Sequence, residues 1–222
     1  MLQYMHMRYT YSEGIKRKNA NPQIIFLAGA ALLFGVYVLV LTLSPALPDI
    51  TASEQQTAKK LVATKPVVGE NRVYIPQINV DVPIVDINGN ETAALEKGAI
   101  HRAPESGNPA SGGNYVIAAH RFNLGLTPAA TRAKSPFYHI DKLKTGDQLY
   151  IDYEGVRYVY EVYEKKRVAE TAVDIEQKTS STRLTLYSCE LTGPKDGREA
   201  VFAKPLGVIA WESGKPAIKT AL

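Results

Sequence analysis

From Ile24 to Leu43 the chain reads IIFLAGAALLFGVYVLVLTL, twenty residues without a charge. A helix built from this run has no polar face to turn toward water. At about 1.5 Å per residue it reaches roughly 30 Å, the depth of a bilayer's hydrocarbon core. The run therefore predicts one transmembrane helix over residues 23–43. A cleaved signal peptide is the rival, but the run is longer than a signal-peptide core and no A-x-A site follows it. Arg8, Lys16, Arg17 and Lys18 precede the run against a single acid, Glu13. Positive flanks stay in the cytoplasm. The expectation is a cell-membrane protein with a single pass, a cytoplasmic basic tail over 1–22, and everything after Leu43 outside.

That tail accounts for most of the chain's formal net charge of +4. The rest is nearly neutral and lacks the clustered basic surface that nucleic acid requires, so no nucleic-acid partner is expected. Residues 44–70 read as an extracellular linker, with Pro45, Pro48 and Pro66 and few large apolar side chains. Within it, Thr51-Ala-Ser-Glu54 fits a capping box and predicts a short helix over the following ten or so residues.

The folded domain is expected over 71–222. Short alternating runs separated by turn residues replace the linker composition there. RVYIPQINVDVPIV is interrupted by Pro76 and Pro83, which predicts edge or bulged strands. NYVIAAH ends at His120. DQLYIDYEGVRYVYEVYEKKRV predicts a hairpin turning at Glu154-Gly155, with Leu149, Ile151, Tyr153, Tyr158, Tyr160 and Val162 on a common face. RLTLYSC ends at Cys189, and AVFAKPLGVIAW supplies one or two more strands. Only TAALEKG and PFYHIDKLKTG read as helical turns, closed by Gly98 and Gly146. Many closely spaced strands argue for an all-β barrel or sandwich.

Cys189 is the only cysteine among 222 residues. It cannot form a disulfide within the chain, and an exported domain permits disulfides, so it is a buried apolar residue, a reactive thiol or an intermolecular partner. A thiol nucleophile needs a proton donor and positive charge at the developing oxyanion. Arg198 follows nine residues later, and four histidines are available. His6 falls in the cytoplasmic tail. His139 sits in an amphipathic turn and reads as structural. His101 and His120 remain, and His120 closes a strand where scaffold meets loop. Each residue taken singly has an ordinary structural explanation: buried cysteines are usually inert, and an arginine after Asp196-Gly197 is ordinarily a solvated turn charge.

In combination the residues resemble the sortase family, from Val73 to roughly Trp211. IPQINVDVPI looks like that family's opening strand. ALEKGAIHRAPESGNPASGGNYVIAAHR is similar to the stretch leading to its G-H-R histidine. FYHIDKLKTGDQLYI is similar to its L-x-x-L-x-x-G-D-x-I segment, TLYSC to its T-L-x-T-C motif, and Arg198 stands where the family's arginine follows. Two positions depart from the pattern: Ala119 replaces the glycine before the histidine, and Ser188 replaces the threonine before the cysteine. Neither removes a reacting group. The linker also lacks the aspartate-proline-aromatic lid of many pilin-polymerising relatives.

The resemblance implies a closed β-barrel of about eight strands with short helices, behind the transmembrane helix. It implies a cysteine transpeptidase with Cys189 as nucleophile, His120 as acid and base, and Arg198 at the oxyanion, with Ser188, Ala118 and Arg198 against the substrate. The implied substrates are secreted proteins bearing an LPxTG-like signal cut between Thr and Gly. The implied acceptor is an amine of a cell-wall precursor or of a pilin lysine. No cofactor or metal is expected. A thiol peptidase acting on the same signal, or a binding module keeping the fold without turnover, would share much of this sequence.

Overall fold

The structure, a computed structural model, describes residues 21–47, 61, 64–212 and 215–220. The helix expected after Thr51 lies outside these residues, as does His6. The chain divides into two compact units after Val38. The first unit carries most of α1 (Pro22–Leu43). Its 22 residues span about 33 Å. Apolar side chains are exposed around its circumference, Phe26 at 75% and Leu33 at 70% among them. It is long and apolar enough to cross a membrane.

The second unit is a barrel. In chain order its elements are β1 (Arg72–Ile75), β2 (Val80–Val85), α2 (Glu91–Leu95), β3 (Ala99–His101), β4 (Gly107–Asn108), β5 (Gly112–Ala118), α3 (Pro128–Ala133), β6 (Gln148–Tyr153), β7 (Val156–Val168), β8 (Arg183–Glu190), β9 (Gly193–Glu212) and β10 (Lys215–Lys219). Pairing runs β1–β2–β3–β5–β8–β9–β7–β6 and returns to β1, closing eight strands into the expected ring. β4 and β10 lie off the ring, against β5 and β9. Most neighbours are antiparallel; β2/β3 and β5/β8 are parallel.

The β6/β7 hairpin turns where the sequence predicts. Tyr153 pairs with Val156, leaving a two-residue turn. Glu154 and Gly155 both take positive φ, 48° and 77°. That is the turn whose twist matches its strands. Alternation then sends Leu149, Ile151, Tyr160 and Val162 into the barrel, where they are essentially inaccessible, with Tyr153 and Tyr158 packed at the margin. Each such side chain contributes about 1.5–3 kcal/mol on leaving water. Odd and even residues of β8 divide likewise. Leu184 and Leu186 join the interior, while Tyr187 belongs to a second apolar cluster with Ile100, Val116, Ala118, Ile175 and Phe202. The second cluster forms on the outer face of the β5–β8–β9 wall and is roofed by the β7–β8 connection. It supports the surface on which Cys189 sits.

Two local expectations change. Pro76 and Pro83 do not mark edge strands, because β1 and β2 are both paired on two sides. Pro76 opens a 3-10 turn, Pro76–Ile78, that separates the two strands. Pro83 lies one residue before the β2/β3 ladder begins at Ile84, so its missing N–H falls outside that ladder. α3 is a helix the periodicity does not announce, although Thr127 caps it from Ala130 N at 3.1 Å and Pro128 opens it. PFYHIDKLKTG holds the expected helical turns, as turns and one 3-10 segment, Ile140–Lys142. TAALEKG does contain a helix, α2, capped by the Asn90 side chain.

Candidate active site

Cys189 is the penultimate residue of β8 and stands opposite Arg198 of β9 in the antiparallel register. Directly opposed residues project to the same face with Cβ atoms roughly 5 Å apart. The strands reach this pairing through a tight connection in which Glu190 pairs with Gly193, so residues 194–197 bulge out. Gly197 makes the bulge possible. Its φ is +111°, and a Cβ there would lie 2.4 Å from the Val168 carbonyl oxygen. Cys189 is exposed, a free thiol on the outer wall and not a core residue. Its partly desolvated setting pushes the thiol above its ordinary value of 9.0; the Arg198 charge opposes that rise and the Glu170 charge adds to it.

His120 reaches the same place from β5. The parallel β5/β8 ladder ends with Ala118 beside Tyr187, and Ala119 N still donates to Tyr187 O at 3.3 Å. Both His120 and Cys189 lie two residues beyond the last ladder pair, on neighbouring strands running the same way. Continued for two more residues, the alternation of β5 would put His120 on the side of Ala118. Its Nε2 is buried and makes no hydrogen bond among the described residues. Desolvation lowers the imidazole below its ordinary 6.5, with Glu96 opposing and Lys134 reinforcing the shift. Lys134 and Glu96 pair with each other at 2.5 Å, so their influence on the ring largely cancels.

Arg198 is fixed on two sides. Its guanidinium carbon lies 5.0 Å from the centre of the Tyr187 ring, and its Nη1 is 3.4 Å from Glu176 Oε1. The Tyr187 hydroxyl donates to the same carboxylate oxygen. Tyr187 and Glu176 are absent from the residues the sequence singles out. Tyr187 was accessible from the strand alternation, being two residues before Cys189. Glu176 lies in the irregular β7–β8 connection, where no periodicity points to it.

The register thus sets Cys189 opposite Arg198 and leaves His120 just past the end of the adjacent parallel strand. Ala118 ends that strand, 5% exposed. Ser188 does not join them. By alternation it turns into the barrel, 2% exposed, and its Oγ has no partner among the described residues. The residues that follow His120 and Cys189, Arg121 and Glu190, are charged and buried. Arg121 donates from Nε to Tyr138 O at 3.1 Å and pairs with Asp141 at 2.8 Å. Glu190 takes a forked bond from Arg167, at 2.6 and 2.8 Å. The remaining histidines lie elsewhere. His101 is buried edge-on against Tyr115 at 4.6 Å, with Nε2 3.2 Å from Gly107 O. His139 precedes the 3-10 turn and packs against Tyr138.

An exposed thiol opposed to an arginine on an eight-stranded barrel, with a histidine on the adjacent parallel strand end, defines a class of cysteine-centred barrel site. A family model described as "Sortase domain" matches residues 73–206. The chain belongs to the sortase family. It is 34% identical over 119 residues to sortase A of Listeria monocytogenes serovar 1/2a (strain ATCC BAA-679 / EGD-e), a match covering 50% of this chain. The chain spans about half the length of that curated relative, 48%. Among solved structures, L. monocytogenes sortase A superimposes with a TM-score of 0.52 at 23% identity, covering 70% of this chain and 93% of the other. A Clostridium perfringens sortase D5 transpeptidase gives 0.51 at 26%, covering 70% and 89%. Streptococcus agalactiae sortase C1 gives 0.51 at 28%, covering 63% and 69%.

Proposed function

We propose that this chain is a membrane-anchored cysteine transpeptidase that cuts an LPxTG-like sorting signal between Thr and Gly and passes the new acyl group to an amine. The observation that carries this reading is the opposed Cys189–Arg198 pair, with His120 two residues past the neighbouring ladder.

The chemistry follows from the groups present. The Cys189 sulfur, as thiolate, attacks the Thr carbonyl carbon and drives its electron pair onto the oxygen. Arg198, always charged and carrying several N–H donors, is suited to that oxyanion. Collapse breaks the C–N bond, and protonated His120 gives its proton to the departing Gly amine. His120, now neutral, takes a proton from the incoming amine as it attacks the thioester, and the thiolate is regenerated. Among the described residues His120 Nε2 has no hydrogen-bond partner, so the ring is not committed to another group. A lone nitrogen buried without a partner is costly in a resting protein and is found where chemistry needs it. α1 supports presentation of the site at the outer membrane surface, where secreted substrates and the amine of a cell-wall precursor, or a pilin lysine, would meet it. The basic residues before α1 support the orientation with the N-terminus inside.

The test is a mass measurement of the acyl-enzyme with sorting-signal peptides, followed by product analysis with and without an added amine. The expected results are a thioester on Cys189, none on Cys189→Ala, and a new amide when amine is present. Hydrolysis alone at saturating amine would make the chain a thiol peptidase. No thioester with any such peptide would refute the substrate reading.

A further inference from the structure

Arg198 is held by groups that the proposed reaction does not use. Glu176 Oε1 lies 3.4 Å from Arg198 Nη1 and 3.5 Å from Arg102 Nε. Arg102 is itself paired with Glu91. The same Glu176 oxygen accepts the Tyr187 hydroxyl, and the Tyr187 ring lies under the Arg198 guanidinium. Arg198 and Glu176 are mostly enclosed, 18% and 19% exposed. Glu176 is also prevented from drifting. It ends the 3-10 turn Val173–Glu176, and fully buried Asn114 grips the carbonyls on both sides of it, Ile175 O at 2.8 Å and Gln177 O at 2.9 Å. The chain of contacts therefore runs from the barrel wall at Asn114, through the loop, to the carboxylate, and from the carboxylate to the arginine opposite Cys189.

We propose that Glu176 is the positioning residue of Arg198, fixing the guanidinium on the Tyr187 ring so that its remaining donors face the oxygen that develops on the carbonyl attacked by Cys189. This rests on the reading of Cys189 as an acyl-forming nucleophile. An arginine on a strand has many rotamers, and an unheld one spends most of its time misaligned. One carboxylate contact occupies part of a five-donor fork and leaves the rest for substrate. Tyr187 serves twice, because its ring carries the guanidinium and its hydroxyl holds the carboxylate that orients it.

Two reactions of the same thiol separate alignment from mere integrity. Acylation by p-nitrophenyl acetate passes through a tetrahedral oxyanion before the thioester forms and p-nitrophenolate leaves. Alkylation by iodoacetamide forms the S–C bond as iodide leaves and develops no oxyanion. Both would be measured on the full-length chain in detergent. For Glu176→Gln, acylation should fall about tenfold or more, while alkylation stays within about twofold, because displacing an oxyanion donor slows only the first. Tyr187→Phe keeps the ring and loses the hydroxyl, so it should show the same split to a smaller extent. In an Arg198→Lys background Glu176→Gln should cost nothing further. The proposal is overturned if Glu176→Gln acylates at the wild-type rate, if both reactions slow in parallel, or if the whole Glu176 effect persists without Arg198. Neither reagent carries a sorting signal. Wild-type protein that is acylated by the ester but by no sorting peptide would sink the substrate reading and leave this one standing.

Discussion

Asn114→Ala should be among the most damaging single changes in the barrel, and the structure allows its size to be worked out. Asn114 is completely buried. Its Nδ2 donates to Ile175 O and Gln177 O at 2.8 and 2.9 Å, and its Oδ1 accepts from Thr185 Oγ1 at 2.6 Å. Arg183 Nε approaches the same oxygen at 3.3 Å, a long contact that adds little. Truncation strands the buried Thr185 hydroxyl and the part-buried Gln177 carbonyl, at about 1 kcal/mol or somewhat more for the first and less for the second, while Ile175 O keeps Arg183 Nη2 at 3.2 Å. The vacated amide adds a small cavity, so the expected loss is about 2–3 kcal/mol. Against a domain stability of about 5–15 kcal/mol that is a large fraction. The comparison variant is Asn108→Ala. Asn108 also accepts two backbone N–H bonds, at 3.0 and 2.8 Å, but in an exposed turn where water replaces them. It should lose no more than about 1 kcal/mol. Urea unfolding followed by tryptophan fluorescence and far-UV dichroism gives both numbers. A loss below about 1 kcal/mol for Asn114→Ala would show that the β7–β8 connection is held by other contacts, and the chain of support under Glu176 would fail with it.

Arg198→Lys keeps the charge but lacks the planar fork, so kcat for acyl transfer should drop by about two orders of magnitude; near-normal turnover in a folded protein would remove the oxyanion role. His120→Ala should lose activity by orders of magnitude, while His101→Ala, which removes a ring packed on Tyr115, should mainly lower the melting temperature; the opposite pattern would reassign the acid and base. Burial lowers His120 below its ordinary 6.5 and raises Cys189 above its ordinary 9.0, so both shifts disfavour the thiolate–imidazolium pair relative to the neutral one. The kcat/KM profile should be bell-shaped, flat across neutrality, with its acid limb below pH 6.5 and its basic limb above 9; an acid limb above 7 contradicts the desolvated setting of His120. Protease added outside intact cells should digest the chain beyond Ser44, and protection there with cleavage after lysis would reverse the orientation drawn from the basic tail.

What could be read from the residues was what local physics dictates. The β6/β7 hairpin was legible because one turn and two alternating runs specify it without help from the rest of the chain. α1 was legible because no face of it is polar. The parallel pairing of β5 with β8 was not, since residues 114–118 and 183–187 are distant in sequence and carry no signal of each other. That pairing sets the end of β5, just before His120, beside the cysteine strand, a neighbourhood that only the family resemblance implied beforehand. α3 was missed because its six residues are too short for a periodicity, although its cap and proline stood in the sequence. The prolines misled for a different reason: the rule that confines them to edges fails where ladders on the two sides of a strand start at different residues.

The two departures from the family pattern acquire a meaning from that same pairing. Ala119 follows Ala118, Ser188 follows Tyr187, and Ala118 and Tyr187 are ladder partners, so the two substituted positions lie side by side. Both turn inward: Ala119 packs in the interior cluster and Ser188 is 2% exposed. Relative to a glycine–threonine pair, an alanine–serine pair moves one methyl group from β8 to β5 and leaves the apolar volume nearly unchanged. A volume-conserving exchange of this kind is what a close-packed interior tolerates. The two changes are therefore expected to compensate each other behind the wall, away from Cys189 and Arg198. Restoring one member alone should be worse than restoring both. Ala119→Gly leaves a void beside Ser188, and Ser188→Thr crowds Ala119. The double variant should recover most of the stability that either single variant loses, and simple additivity of the two would show that the positions do not touch.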